Sequence, residues 1–162
     1  MAGTLEAYLL ALTSTMGQGI QAAPVSTVSN GTSTSATTET FDAVLGNYQF
    51  SAVAGRRYMV ILNNLVNGAT VTADLYNLRI RNSGSSSAPT TSSTIVAYTQ
   101  WYCPVNGGPG QTGIQLQGSF IAAANGTNTL GFSAQRAAGT GVYTPLSGGI
   151  ARELFVVDLG VL

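Results

Sequence analysis

Few side chains in this sequence are equipped for chemistry. There is no histidine and no lysine; the cations are Arg56, Arg57, Arg79, Arg81, Arg136 and Arg152, the acids are Glu6, Glu39, Asp42, Asp74, Glu153 and Asp158, and the one thiol is Cys103. Without histidine no Ser-His-Asp or Cys-His relay can be assembled, and the commonest metal ligand is missing. Without lysine there is no Schiff-base nucleophile and no P-loop lysine. No run of carboxylates has the spacing of a calcium loop. What remains is a pair of carboxylates about 5–10 Å apart, as in a glycoside hydrolase. The acids fall mostly near strand ends and turns, where solvated or arginine-paired carboxylates are the rule. The sequence therefore points away from an enzyme, and no catalytic, metal or cofactor residue is expected.

Aromatic side chains are the better candidates for binding. Tyr98, Trp101 and Tyr102 lie on one predicted strand, over residues 94–103. Alternation puts Trp101 on the face of Ile95 and Ala97, and Tyr98 and Tyr102 on the other. A ring with a polar tip on a wet face suits a glycan platform or a subunit contact. Ordinary core packing is the plain alternative. Gly107-Gly108-Pro109-Gly110 and Gly148-Gly149 lack a strand–loop–helix setting and are expected to be turns rather than phosphate loops. Asn30-Gly31-Thr32 and Asn125-Gly126-Thr127 match the glycosylation sequon, but the hairpin-turn reading is the stronger one. Cys103 is expected to be a small buried hydrophobe near Trp101.

The elements that must carry these residues are strands. In residues 50–81 Tyr76, Leu78 and Ile80 alternate with Asn77, Arg79 and Arg81, giving one buried and one wet face. Residues 58–62 are apolar throughout, as in a strand covered on both sides. Together they suggest a central hairpin turning at Asn67-Gly68, with Arg56-Arg57 in a preceding turn. Strands are predicted over 41–45, 48–53, 58–64, 71–81, 94–103, 113–122, 129–136 and 153–159. Asn-Gly pairs at 30–31, 67–68, 106–107 and 125–126 supply turn signals. Many short strands with Gly/Pro-rich loops and little helix imply an all-β fold, an antiparallel jelly-roll-like β-sandwich. The last strand is apolar on both sides, placing it mid-sheet or against a neighbouring subunit.

Ahead of the sandwich lie an ambiguous stretch and a Ser/Thr tract. Leu5, Tyr8, Leu9 and Leu12 fit one helical face, but the same residues also serve as a strand. Residues 25–40 read as a linker or a solvent-facing edge. The expected division is an arm and linker over 1–38 and a sandwich over 39–162.

The chain has 162 residues, is 44% hydrophobic and only 7% charged, with a formal net charge of zero. That suffices for one domain with a core. Six scattered arginines on a neutral chain leave no electrostatic footprint for nucleic acid. No apolar run approaches the ~20 residues of a membrane span, and no signal-peptide pattern opens the sequence, so synthesis in a cytoplasm is expected. Low surface charge favours association, as in a repeated part of an assembly.

Several short motifs carry a resemblance. Ala54-Gly55-Arg56-Arg57-Tyr58, Leu78-Arg79-Ile80-Arg81, Phe132-Ser133-Ala134-Gln135-Arg136, the closing Phe155-Val156-Val157-Asp158-Leu159-Gly160 and the opening Met1-Ala2-Gly3-Thr4-Leu5 together resemble small virion structural proteins of actinobacterial tailed phages, of the head-decoration and minor-tail kind. The resemblance covers residues 39–160. It implies a trimer-prone, tumour-necrosis-factor-like jelly roll located on the virion, with itself and the major capsid protein as partners. Under that expectation Leu5, Tyr8, Leu9 and Leu12 dock an arm, Arg56 and Arg57 set register between subunits, and decoration of the outer head surface is the role. A tail-tip adhesion module that binds host glycan through Tyr98 or Tyr102 is the alternative.

Overall fold

The expected alternation is what builds the layers. In a computed structural model, which describes residues 19–20, 25–27, 32, 34–69, 73–103, 111–146 and 152–161, Tyr58, Val60 and Leu62 of one strand face Tyr76, Leu78 and Ile80 of another across a common core, all fully buried. The described residues contain no helix. Their strands are β1 (Gly19–Ile20), β2 (Val25–Thr27), β3 (Thr40–Phe41), β4 (Tyr48–Ala52), β5 (Arg56–Ala69), β6 (Asp74–Asn82), β7 (Thr94–Cys103), β8 (Gln111–Ile121), β9 (Gly126–Ala138), β10 (Val142–Leu146) and β11 (Arg152–Val161).

Every pairing is antiparallel, and several strands are two broken halves of one run. β11 and β10 lie end to end along one side of β5, with β8 along the other. β1 and β2, continued by Thr34 opposite Tyr143, flank β11 and β10. In the second sheet β3 and β4 lie end to end along β9, which pairs with β6, which pairs with β7. With each broken run taken as one strand, both sheets are four strands wide. Their chain order is first-eighth-third-sixth and second-seventh-fourth-fifth. The first run thus pairs with the last, the second with the next to last, and so inward. An antiparallel ribbon wrapped in this way is a jelly roll, and the fold is an all-β jelly-roll sandwich.

Three sequence expectations are corrected here. β5 and β6 form no hairpin: they belong to opposite sheets, because each has one apolar face that it buries against the other's. Asn67-Gly68 is no turn, since β5 runs through it to Ala69 with Asn67 opposite both Gln111 and Thr144; pairing on both edges overrides the local preference. The predicted strand over 41–45 stops at Phe41. Asp42 Oδ1 accepts hydrogen bonds from the backbone N–H of Val44 (2.9 Å) and Leu45 (2.8 Å), which curls the chain into a turn. By contrast, Ala54-Gly55 and Asn125-Gly126 do mark chain reversals, with Gly55 at φ 77° and Gly126 at φ 122°.

The expected boundary at residue 38 does not coincide with a break in the sheet, because β1, β2 and Thr34 of the preceding segment pair with β11 and β10. Residues 83–93 fold over the outer face of β9. Ser83 N–H bonds Thr129 O, and Thr129 Oγ1 donates to Ser85 O. Pro89 is buried there, 3.1 Å from where a Cβ on Gly131 would stand, and Ser133 on the same face is buried with its Oγ donating to Glu39.

Candidate functional site

Most described charges are used inside the fold. Arg152 is fully buried; its Nη2 lies 2.6 Å from Asp42 Oδ2, and its Nε donates to Asn64 Oδ1 at 2.9 Å. Asn64 Nδ2 in turn donates to the Tyr143 hydroxyl. Burial pushes the Tyr143 hydroxyl pKa well up, so it stays protonated. At the other end of β11 Arg56 Nε donates to Asp158 Oδ2 at 2.7 Å, both side chains nearly inaccessible. Asp158 Oδ1 also accepts from the backbone N–H of Gly160. Arg56 was expected at a subunit boundary. The structure instead points it inward from β5 onto Asp158, leaving Arg57 as the member of the pair that faces solvent.

Glu39 holds a third cluster, bonded in fork geometry by Arg81 Nε (2.6 Å) and Nη2 (2.7 Å), with Ser133 Oγ donating and Arg79 Nη1 3.6 Å away. Desolvation pushes this carboxyl up. The hydrogen bonds from Arg81 and Ser133 and the charges of Arg81 and Arg79 outweigh it, and hold the pKa below its ordinary 4.5. A carboxyl with a lower pKa folded than unfolded stabilises fully above its unfolded value and loses that contribution as pH falls through the folded one. The midpoint of urea unfolding is therefore expected to drop on acidification below about pH 4.5, and Glu39→Gln to flatten that part of the profile.

The outer face of β6 and β7 carries the predicted tyrosines. Tyr98 and Tyr102 are 51% and 59% exposed, enough for each ring to meet a ligand. They lie four residues apart on β7, about 13 Å along the strand. Tyr98 Oη donates to Asn77 Oδ1 at 2.8 Å, and Gln100 Nε2 donates to the same oxygen at 3.1 Å. The Arg79 guanidinium carbon stands 5.7 Å from the centre of the Tyr98 ring, and its Nη1 donates to Gln135 Oε1. The result is an aromatic and amide platform with one ring held in place. Trp101 is on the opposite side, stacked on Tyr76 at 5.7 Å and edge-on to Tyr143. Ile95 does not share its face. A bulge at Val96 shifts the register between Ala97, opposite Ile80, and Ile95, opposite Arg81, and turns Ile95 outward. Cys103 is buried, its thiol pushed up first by desolvation and then by Asp74.

The outer face of β11, β5 and β8 forms a second surface that the residue motifs did not single out. In register, its rows read Glu153–Asn63–Gln115, then Phe155–Ile61–Gln117, then Val157–Met59–Ser119, then Leu159 beside Arg57–Ile121. Its two middle rows are apolar on β11 and β5. No layer of described strands lies over it, so β5 and β11 are apolar on a side the sandwich does not use. Arg57, Met59, Gln117, Ser119 and Leu159 line an open depression of about 500 Å3 here. The predicted site residues thus divide. Tyr98 and Tyr102 share one sheet's outer face, Arg57 lies on the other's, Arg56 is interior, and Leu5, Tyr8, Leu9 and Leu12 lie outside the described residues.

Neither known protein families nor curated proteins give a match to this chain. Solved structures similar to it include the insecticidal delta-endotoxin Cry8Ea1 from Bacillus thuringiensis (13% identity, TM-score 0.45, covering 80% of this chain and 20% of that one). A second is the Clostridium thermocellum xylanase 10B CBM22-1-GH10 modules complexed with xylohexaose (8%, 0.38, 89% and 28%). A third is the Gx strain of infectious bursal disease virus (12%, 0.37, 84% and 36%). The chain spans roughly a fifth to a third of the length of these proteins.

Proposed function

We propose that this chain is a non-enzymatic structural protein of a virion, a decoration protein that binds the outer surface of a tailed-phage head. The observation that carries the proposal is the outer face of β5 and β11. A chain with almost no surface charge presents there an apolar surface that its own described strands leave uncovered. Surfaces of that kind are hidden in assemblies. The mechanism is passive: many copies bury apolar area across capsomer junctions and add interface that resists internal pressure. The major capsid protein and further copies of the chain are the partners, with Leu5, Tyr8, Leu9 and Leu12 as the docking arm. The three-fold stoichiometry rests on the sequence resemblance alone.

Quantitative gels and immunogold labelling of purified virions test the role. Hundreds of copies spread over the head are expected, and absence from particles overturns the proposal. Deleting residues 1–18 should abolish decoration; heads that stay decorated reject the docking arm.

A second reading is supported by the Tyr98 platform. An exposed ring fixed by an amide hydrogen bond, with a second exposed ring on the same strand, suits a glycan, so a tail-tip adhesion module is the alternative role. A glycan array should then give a hit that Tyr98→Ala or Tyr102→Ala weakens at least tenfold. Absence of any hit with the unaltered protein removes this reading, and a few copies at the tail tip would favour it over decoration.

A further inference from the structure

The outer face of β11, β5 and β8, over which no described strand lies, carries, besides its apolar rows, a charge at each end. Glu153 stands in the first row and Arg57 in the last. These two are singular among the described charged residues. Asp42, Asp158 and Glu39 are paired with arginines, and Asp74 and Arg136 hold Gly141 backbone groups. Arg57 and Glu153 have no ion pair or side-chain hydrogen bond within the described residues. They are about 20 Å apart along the strands, too far to meet one another.

We infer that this face pairs with the same face of a second copy, about a two-fold axis that lies between the sheets and runs across the strands between the second and third rows. The charges select that axis. Rotation about it reverses the strand direction and lays the first row of one copy over the last row of the other. The partner's Glu153 then stands one strand, about 4.8 Å, aside from the point facing Arg57, within an arginine's reach, and the same contact recurs at the other end. Rotation about an axis along the strands would instead keep each row over itself, with both Arg57 in one row, both Glu153 in another, and the opposite charges about 20 Å apart. Phe155, Ile61, Val157 and Met59 meet their counterparts in the middle, at the usual separation of face-packed sheets.

The surface is small. Three strands by four rows cover roughly 400 Å2 on each copy, below the roughly 800 Å2 per partner of a standard stable interface. Pairing is accordingly weak between free copies and gains strength where many copies are held on one surface. This inference needs only the face itself, so it stands or falls apart from the virion role.

Analytical ultracentrifugation of the full chain up to millimolar concentration tests it. A monomer–dimer equilibrium is expected. Arg57→Glu and Glu153→Arg should each weaken it at least tenfold, and the double swap should restore it to within about threefold. Val157→Asp, at the centre of the face, should abolish pairing, with circular dichroism confirming that each variant is folded. A chain that stays monomeric throughout overturns the inference, as it would if residues 1–18 occupy the face. So does a dimer or trimer indifferent to both swaps. Single variants that weaken pairing without rescue by the double reject the antiparallel axis. Each of these results is independent of where the protein is found in particles.

Discussion

Replacing Asp42 with alanine is expected to cost about 3–5 kcal/mol of folding stability, a large part of the roughly 5–15 kcal/mol that holds a typical domain together. The size follows from what the carboxylate does. It is the acid that faces the fully buried Arg152 guanidinium, at 2.6 Å, and the acceptor for the backbone N–H groups of Thr32, Val44 and Leu45. Alanine leaves a cation uncompensated in the core and several donors without acceptors. Arg152→Met should cost less, because the carboxylate left behind keeps its three backbone donors. Guanidinium unfolding of both variants gives the comparison. An Arg152→Met loss equal to or larger than that of Asp42→Ala would show that the cation, not the carboxylate, organises the cluster.

Gly118→Ala should be the most damaging single-methyl addition in the outer strands. A Cβ at Gly118 would lie 1.8 Å from the Val96 carbonyl oxygen, 2.7 Å from its carbon and 3.0 Å from Ala97 Cβ. Val96 is the bulged residue of β7, so its carbonyl leaves the ladder and leans on β8 where the two sheets close against each other. Neither partner is the loose end of a side chain, and relief requires the two strands to part. Overpacking of this kind costs about 3 kcal/mol, the upper end of the usual range. For a chain of this length that lowers Tm by about 6–12 °C. Gly113→Ala, on the same strand, meets nothing within 4 Å and should shift Tm by less than about 2 °C. Similar melting for the two variants would mean that the sheets are not closed at Val96.

How much of this was readable from the residues depended on the range of the force involved. Alternation placed Tyr76, Leu78 and Ile80 correctly in the core, because a strand's two faces are a local property. The exposure of Tyr98 and Tyr102 follows from the same rule. It failed for Ile95 because the bulge at Val96 adds a residue that no local pattern announces. β10 went unpredicted: Pro145 argues against a strand, and only the neighbouring β5 makes one there. The ion pairs were out of reach for a related reason. Asp42 and Arg152 lie 110 positions apart, and Arg56 and Asp158 lie 102 apart, so nothing local ties one to the other. The apolar second faces of β5 and β11 were legible, but not that the two strands lie side by side and sum to one surface.

β11 fills the slot between β5 and the β1–β2 run, and this governs how the chain can be made. On a ribosome β5 emerges roughly 80 residues before β11, which at about 5–20 residues per second is a delay of several seconds. Through that interval β5 has two apolar faces and an edge still open where β11 will pair, and β8 can cover its other edge only after residue 121 has emerged. Closure of the first sheet therefore waits until synthesis has passed residue 161, and folding dominated by such distant pairings is slow. A nascent chain arrested before Arg152 should be protease-sensitive and prone to cluster with its neighbours on the same message. The fold thus makes the synthesis of β11 the timing signal for closure of its sheet.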